Sequence, residues 1–410
     1  MNSPIRNTAG VSEPLNYPLT TDSAEFQSIL DEIGKGAAAR DLTRTHPFEA
    51  VAALKQAKIG AIRLPVEVGG GGITFREFYR TVLRLGAVDS NVAHLLRNHF
   101  VFAERYLQSP DDDQLRAWQR IVADGAIVGA AVQDIERVQG AEGSFSTLEA
   151  EGTGFRLNGT KAYSTGCLYS DYILVRIKRP DGAQASIFIP SDREGITLED
   201  DWDGSGQRLT GTGTTRLVNV RVDEHEVVFD RPGMAYNLPY SSTLPQLYMT
   251  AINAGIMRNV LEEAKALVHR RVRSFHHASS ARPDEDPSLH QVIGQIASNA
   301  FAGESVVLAA AEVQDTIAAL RAAGNLQTEE AGRGALLAAQ AKIIVDELTL
   351  RAATALYDVG GASATRQGPN LDRHWRNART LASHNPAIYK ARAVGEYEVN
   401  GTPLPKADFF

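Results

Sequence analysis

Apolar residues recur along this chain with three rhythms. From about residue 20 to 122 the spacing is helical: Leu115, Trp118 and Ile121 return every third residue, just after Asp111, Asp112 and Asp113. Carboxylates there face the positive end of a helix dipole, so a helix is expected to open at that point. Leu64-Pro65 through Gly69-Gly70-Gly71-Gly72 reads as a loop between helices. From about 126 to 232 the period falls to two. Ile173, Val175 and Ile177 alternate with Leu174, Arg176 and Lys178, and Val218, Val220 and Val222 with Leu217, Asn219 and Arg221. Asn158-Gly159, Asp181-Gly182 and Asp203-Gly204 read as turns, which predicts short strands in a sheet or barrel. From about 243 helical spacing returns. Leu289, Val292, Ile293, Ile296 and Ala300 share one face, Leu337, Ile344 and Leu348 mark another, and the polar stretch Ser279 to Pro287 separates the first two long helices. Long helices with few breakers predict a bundle.

The order is therefore helices, strands, helices, which argues against a doubly wound sheet. It predicts an α+β protein of three domains: a helical domain at 20–125, a β domain at 126–235 and a helical bundle at 236–410. A chain of 410 residues is long enough for that number. Its 43% hydrophobic and 22% charged residues exclude disordered or repetitive classes. A net charge of -7 lacks the basic surplus of a nucleic-acid binder. The one cysteine, Cys167, rules out an intramolecular disulfide and a Cys-based metal site and fits a reducing cytoplasm. Met1 to Arg6 lead into no apolar stretch of secretory type, and no apolar run approaches the ~18 residues that span a bilayer, so no membrane partner is expected.

Several motifs are tempting and incomplete. The four glycines at 69–72 have no following Gly-Lys-Ser/Thr and read as a loop, and Gly211-Thr212-Gly213-Thr214-Thr215 reads as entry into a strand. No Gly-x-Ser-x-Gly elbow and no dinucleotide fingerprint are present. His276-His277 has no third ligand nearby, and no metal site is expected. On residue type alone His94 reads as structural.

Four segments together are specific. Ala131-Val132-Gln133-Asp134, leading to Glu142-Gly143-Ser144, resembles the flavin-facing loop of the acyl-CoA dehydrogenase superfamily in degenerate form. Asn158 to Gly166 resembles the next flavin strand of that fold. Trp202-Asp203-Gly204-Ser205-Gly206-Gln207-Arg208-Leu209-Thr210 and Leu371-Asp372-Arg373-His374-Trp375-Arg376-Asn377-Ala378-Arg379-Thr380 resemble the desulfurization branch, the reduced-flavin monooxygenases related to dibenzothiophene monooxygenase. The resemblance covers nearly the whole chain beyond the first twenty residues. Dehydrogenases of this fold need a carboxylate base, which many hold near the C-terminus in Tyr-Glu-Gly-Thr. Here that region reads Ser383-His384-Asn385-Pro386.

The resemblance implies a two-component monooxygenase. Reduced FMN, supplied by a separate NAD(P)H:flavin reductase, would react with O2 to a C4a-hydroperoxide that oxygenates a small organosulfur substrate in a mostly apolar site. An amine N-hydroxylase on the same fold and an FAD-dependent acyl-CoA dehydrogenase are the alternatives, with FAD as the alternative cofactor. Implied catalytic groups are His94, Ser164 and His384. Implied cofactor contacts are Val132, Gln133, Tyr163, Ser164, Thr165, Trp202, Arg271, Arg273, Arg376 and Asn377. Either Ser164 or Thr165 faces the flavin N5. The arginines are either phosphate ligands or ion-pair partners. Tyr236 to Tyr240 is expected to form a lid. Asn98 stands near a position where aromatic-sulfide oxidisers carry tyrosine. The assembly implied is a homotetramer, with the Ala- and Leu-rich helix at 331–356 packing against copies of itself.

Overall fold

The computed structural model describes residues 17–135, 146–178, 182–234, 238–406 and 410. Among the described residues six helices come first: α1 (Ala24–Thr43), α2 (Phe48–Gln56), α3 (Phe75–Val88), α4 (Ser90–Leu95), α5 (Arg97–Phe102) and α6 (Asp113–Ala123). Side chains cap them. Ser23 accepts from the Phe26 N–H, Thr74 and Glu77 cap each other's backbone, and Asp112 accepts from the Leu115 N–H at 2.8 Å. The last of these is the helix start expected at the aspartate triplet.

Nine strands follow: β1 (Val128–Ala131), β2 (Gln133–Asp134), β3 (Thr147–Glu151), β4 (Gly154–Ala162), β5 (Tyr172–Lys178), β6 (Gln184–Pro190), β7 (Ile196–Leu198), β8 (Thr215–Asp223) and β9 (Val227–Phe229). They form two sheets, ordered β1-β5-β6-β9 and β2-β4-β8-β7, with β3 also on β4. These sheets do not close into a barrel. Among the described residues only β1 with β5 is parallel. Ile173, Val175 and Ile177 meet Leu157, Leu217, Val220 and Val222 between the sheets. The opposite face of β5 is buried too: Leu174 packs with Phe188, Phe102 and Trp118 under the N-terminal helices. Arg176 on that face is buried, and Asp230 receives it at 2.6 and 2.8 Å.

Two sequence expectations in this region are corrected. Asn158-Gly159 is not a turn. It lies inside β4, where the pairing with β8 slips between Leu157 and Gly159. Opposite it Asn219 has a left-handed backbone (φ 53°), and its N–H donates to Asn158 Oδ1 at 2.7 Å. This bulge shifts the side-chain alternation by one residue. Leu217 thereby joins Val220 and Val222 inside, and Val218 is 65% exposed.

The bundle holds α7 (Thr243–Arg270), α8 (Pro287–Ala322), α9 (Thr328–Gly360), α10 (Asp372–Ser383) and α11 (Ala387–Asn400). The expected face of α8 packs inward through Leu289, Ile296 and Ala300. The face expected on α9 does so only in part: Leu337 and Leu348 are half-buried against the core, and Ile344 is 40% exposed. Its inner face is Ala335, Ala338, Ala341, Val345, Ala352 and Leu356. Helix α9 is central, flanked by α7 and α8, and small side chains let the three backbones come close. One hydrophobic core runs from the N-terminal helices (Phe78, Tyr79, Phe100) into the bundle (Tyr248, Ile252, Val260). Helix α8 is long and apolar enough to cross a bilayer by length and composition alone, yet Gln295, Asn299 and Glu304 interrupt it and Val307 is buried on the bundle.

Candidate functional site

The chain leaves β4 through two backbone turns that only a strained or glycine residue supports. Tyr163 has φ 56° and Gly166 φ 84°. Tyr163 is 52% exposed, so nothing in its packing explains the strain, and outliers of this kind cluster at functional sites. Between them, the Ser164 N–H donates to Gly213 O at 3.0 Å and the Gly166 N–H to Thr210 O at 3.0 Å, docking the turn on the loop before β8. Ser164 is buried, and its hydroxyl has no partner among the described residues. Thr165 differs: its hydroxyl bonds Thr212 at 2.9 Å. A buried polar atom without a partner asks for a ligand atom or water.

Strand β2 brings Val132 and Gln133 alongside. Gln133 pairs with Ala162, and Lys161, fully buried, holds the edge through Asp134 at 2.8 Å. From the other side, the ring of Trp202 meets that of Tyr163 edge-on at 6.1 Å. Trp202 Nε1 donates to Gln207 O at 3.0 Å.

Gln207 connects this wall to the helices. Its backbone is left-handed (φ 52°) and it is buried. Its Nε2 donates to Ser90 Oγ at 3.0 Å, its N–H to Asn377 Oδ1 at 2.6 Å, and its Oε1 accepts from His94 Nδ1–H at 3.1 Å. That arrangement assigns the proton of neutral His94 to Nδ1 and leaves Nε2 a lone pair. Burial and the charge of Arg97 push the His94 pKa down to about 3, against the pull of Gln207.

His384 sits at the break between α10 and α11, as its Asn385-Pro386 context predicts. Asn385 locks the break by donating to Gln246 Oε1 at 3.1 Å. Solvent reaches part of the His384 side chain, yet desolvation is the first cause of a pKa well below the usual histidine value, followed by the charges of Arg97, His94 and Lys342. The structure thus gathers Val132, Gln133, Tyr163, Ser164, Thr165, Trp202 and His94 around one wall, with His384 near His94.

The expected phosphate ligands lie elsewhere. Arg376 is engaged by Asp41 and Asp372 at 2.7 Å each and by Asn370 at 3.0 Å, and it donates to Ser205 O at 3.2 Å. Asn377 bonds Gln207. Both therefore pin the 202–207 loop to α10. Arg271 donates to Val359 O at 2.7 Å and stacks 3.9 Å over Phe275, and Arg273 is exposed. Tyr248, on α7, donates to Ala93 O beside His94 at 2.8 Å. Arg271 ends the same helix, roughly 35 Å farther along at about 1.5 Å per residue. One chain does not bring Arg271 to Ser164. Glu142-Gly143-Ser144, Tyr236 and Asn237 lie outside the described residues. Tyr240, from the expected lid, is buried against Ala331, Ala335 and Leu404. Gln207 and Arg97 were not singled out by the sequence, because an amide in a loop and a cation between helices carry no spacing signal.

Helical region, paired sheets and bundle in this order are the acyl-CoA dehydrogenase architecture. The family described as acyl-CoA dehydrogenase, C-terminal domain, matches residues 247–387. Methanesulfinate monooxygenase MsuC of Pseudomonas fluorescens has a similar structure, with TM-score 0.85 and 27% identity, covering 95% of this chain and 100% of that one. TdsC of Paenibacillus sp. A11-2, a dibenzothiophene monooxygenase solved with FMN, follows at 0.82 and 26%, covering 93% and 98%. The probable FMNH2-dependent monooxygenase SfnC of Pseudomonas putida is 26% identical over 397 residues, 95% of this chain and 98% of its own. Over nearly its whole length the chain is thus similar to acyl-CoA dehydrogenase-fold flavin monooxygenases that act on organosulfur compounds.

Proposed function

We propose that the protein is the oxygenase of a two-component system: it takes reduced FMN from a separate NAD(P)H:flavin reductase and uses O2 to oxygenate a small organosulfur substrate. One observation carries the reading. The buried, unpartnered Ser164 hydroxyl lies on a strained turn beside Tyr163 and Trp202, and Asn98, four residues past His94, ties that turn to the helices through Thr165 O. The hydroxyl and the two neighbouring aromatic rings suit a flavin ring. When bound and reduced, FMN supplies the electrons that activate O2.

The chain's own residues do the rest. Ser164 offers a hydrogen bond to a ring nitrogen or to bound oxygen. His94, held by Gln207, presents Nε2 as an acceptor. His384 exchanges a proton at the substrate end. Ser164 and His94 are themselves buried, which keeps bulk water from these two groups. Arg376 and Asn377 position the 202–207 loop. Arg271 and Arg273 reach a flavin phosphate only from a second subunit, which supports a homotetramer. The apolar residues available for that contact are Phe301 on α8, 72% exposed, and Ile388 and Val399 on α11, 72% and 81% exposed, rather than those of α9. A cytoplasmic setting fits the single buried thiol, Cys167.

The test is isotopic. With FMN, a flavin reductase, NADH and labelled O2, a panel of sulfides, sulfinates, sulfones and amines should yield a product carrying one labelled oxygen. No labelled product from any of them, with anaerobic bleaching of bound flavin by an acyl-CoA, would restore the dehydrogenase reading.

A further inference from the structure

We propose that one ordered water behind the flavin wall, held by Asp41, Ser90 and His374, fixes the amide of Gln207 and through it the tautomer of His94. Asp41, Ser90 and His374 line a small cleft where α1, α4, α7 and α10 meet, with room of about 20 Å³. That is enough for a water, provided polar groups surround it. The three groups are buried: Asp41 is 1%, His374 3% and Ser90 6% exposed.

Each has one hydrogen-bonding position left over among the described residues. Asp41 Oδ1 accepts from Arg376 at 2.7 Å and from Asn370 at 3.0 Å, while Oδ2 has no partner. His374 Nε2 has none either. Burial and the charges of Arg373 and Arg376 hold His374 well below the usual histidine pKa, so its ring is neutral and has a lone pair to offer. Ser90 Oγ accepts from Gln207 Nε2 at 3.0 Å, and among the described residues its own proton has no acceptor. The cleft thus lacks one acceptor and two donors. Water meets that demand: it accepts from Ser90 and donates to Asp41 and His374.

The direction of these bonds reaches the site. With its proton turned into the cleft, Ser90 can only accept from Gln207. The amide therefore keeps Nε2 on Ser90 and Oε1 on His94, 3.1 Å from Nδ1. His94 then carries its proton on Nδ1, and its Nε2 stays an acceptor. Reversing the amide would make Ser90 donate to Gln207. The water would then face three acceptors with two protons, and one hydrogen bond would be lost. Asp41 and Ser90 are positioning residues in this arrangement, acting on His94 through Gln207. The cleft and the tautomer need no cofactor; their consequence for oxygenation rests on the monooxygenase reading above.

Two measurements on the full-length protein test this without flavin or oxygen. A crystal structure at about 1.8 Å should show a water within about 3.2 Å of both Asp41 Oδ2 and Ser90 Oγ. Nitrogen NMR of the histidine-labelled protein, with the His94 signal assigned by its loss in His94→Phe, should show the Nδ1–H form favoured at least about 10-fold. Ser90→Ala should bring that ratio toward parity. Asp41→Asn keeps an oxygen for Arg376 and puts a donor into the cleft, so it should reverse the ratio in favour of Nε2–H. An Nε2–H form of His94 in the wild type, a dry cleft, a metal cation in it, or an unchanged ratio in both variants would overturn the assignment. If neither variant folds, the wild-type density and spectrum decide. Such a failure leaves the monooxygenase reading standing, whereas absence of labelled product from every substrate defeats that reading and leaves the cleft assignment standing.

Discussion

Histidines in this protein are kept neutral by two different means. His99 is buried among backbone groups: Nε2 donates to Gly60 O at 2.8 Å and Nδ1 accepts from the Val128 N–H at 3.1 Å. Burial pushes its pKa down to about 4. Its folded value lies below the unfolded one, so the unfolded chain binds the extra proton between them. The stability contribution is therefore complete above about pH 6.5 and lost as pH falls toward 4. Urea unfolding from pH 7.5 to 5 should show this loss, up to about 1.4 kcal/mol per pH unit for each such histidine. His99→Leu should lower stability at pH 7.5 by roughly 2–4 kcal/mol, since two buried backbone groups lose partners, and should show a shallower acid loss.

His94 has a functional surrounding instead. Because it stays neutral down to about 3, product formation should show no limb from His94 between about pH 5 and 8. A limb near pH 6.5 that vanishes in His94→Phe would contradict the Gln207-held neutral form. His384→Ala should leave FMN affinity and melting temperature near those of the wild type while oxygenated product falls about 100–10,000-fold and hydrogen peroxide release persists. Lost stability with unchanged turnover per bound flavin would make His384 a mere cap of the helix break.

Between elements, backbone proximity does what side-chain pattern does elsewhere. Gly255 on α7 faces α3 so closely that a Cβ would stand 2.4 Å from Leu83 O and 2.8 Å from Ala87 N. The two helices have no room to part, because α7 is held on its far side by α9. Gly255→Ala should cost about 1–3 kcal/mol, read as a lower urea midpoint with unchanged slope. Stability equal to wild type would mean that α3 and α7 slide freely. The bulge in β4 and β8 has the same character: it turns Val218 outward and cannot be read from alternation, since the extra residue exists only relative to the partner strand.

At the scale of the whole molecule, the distance between Arg271 and Ser164 is the informative quantity. A flavin held at both positions needs two chains, so assembly and cofactor binding should fail together. Phe301→Glu places a charge in the exposed apolar face of α8. Sedimentation should show a smaller species than the wild type, as the proposed tetramer requires, and FMN binding measured by fluorescence should weaken with it. Dissociation without any loss of FMN affinity would place the whole flavin site within one chain.

The sequence by itself determined the order of helices, strands and bundle, the cap at Asp112, the break at Ser383 to Pro386 and the residues that resemble a flavin wall. Each is local: a repeat within a few turns, a capping side chain, a proline and its predecessor. Only the tertiary structure decided which face of α9 is inside, because that depends on two neighbouring helices and not on the size of its own apolar residues. It also decided that Thr165 is spent on Thr212 while Ser164 is not, and that Arg376 serves Asp41. Above all it decided the role of Gln207, whose backbone and side chain join α4, the β domain and α10. Contacts between residues more than a hundred positions apart leave no period in the sequence, and those contacts hold the site together.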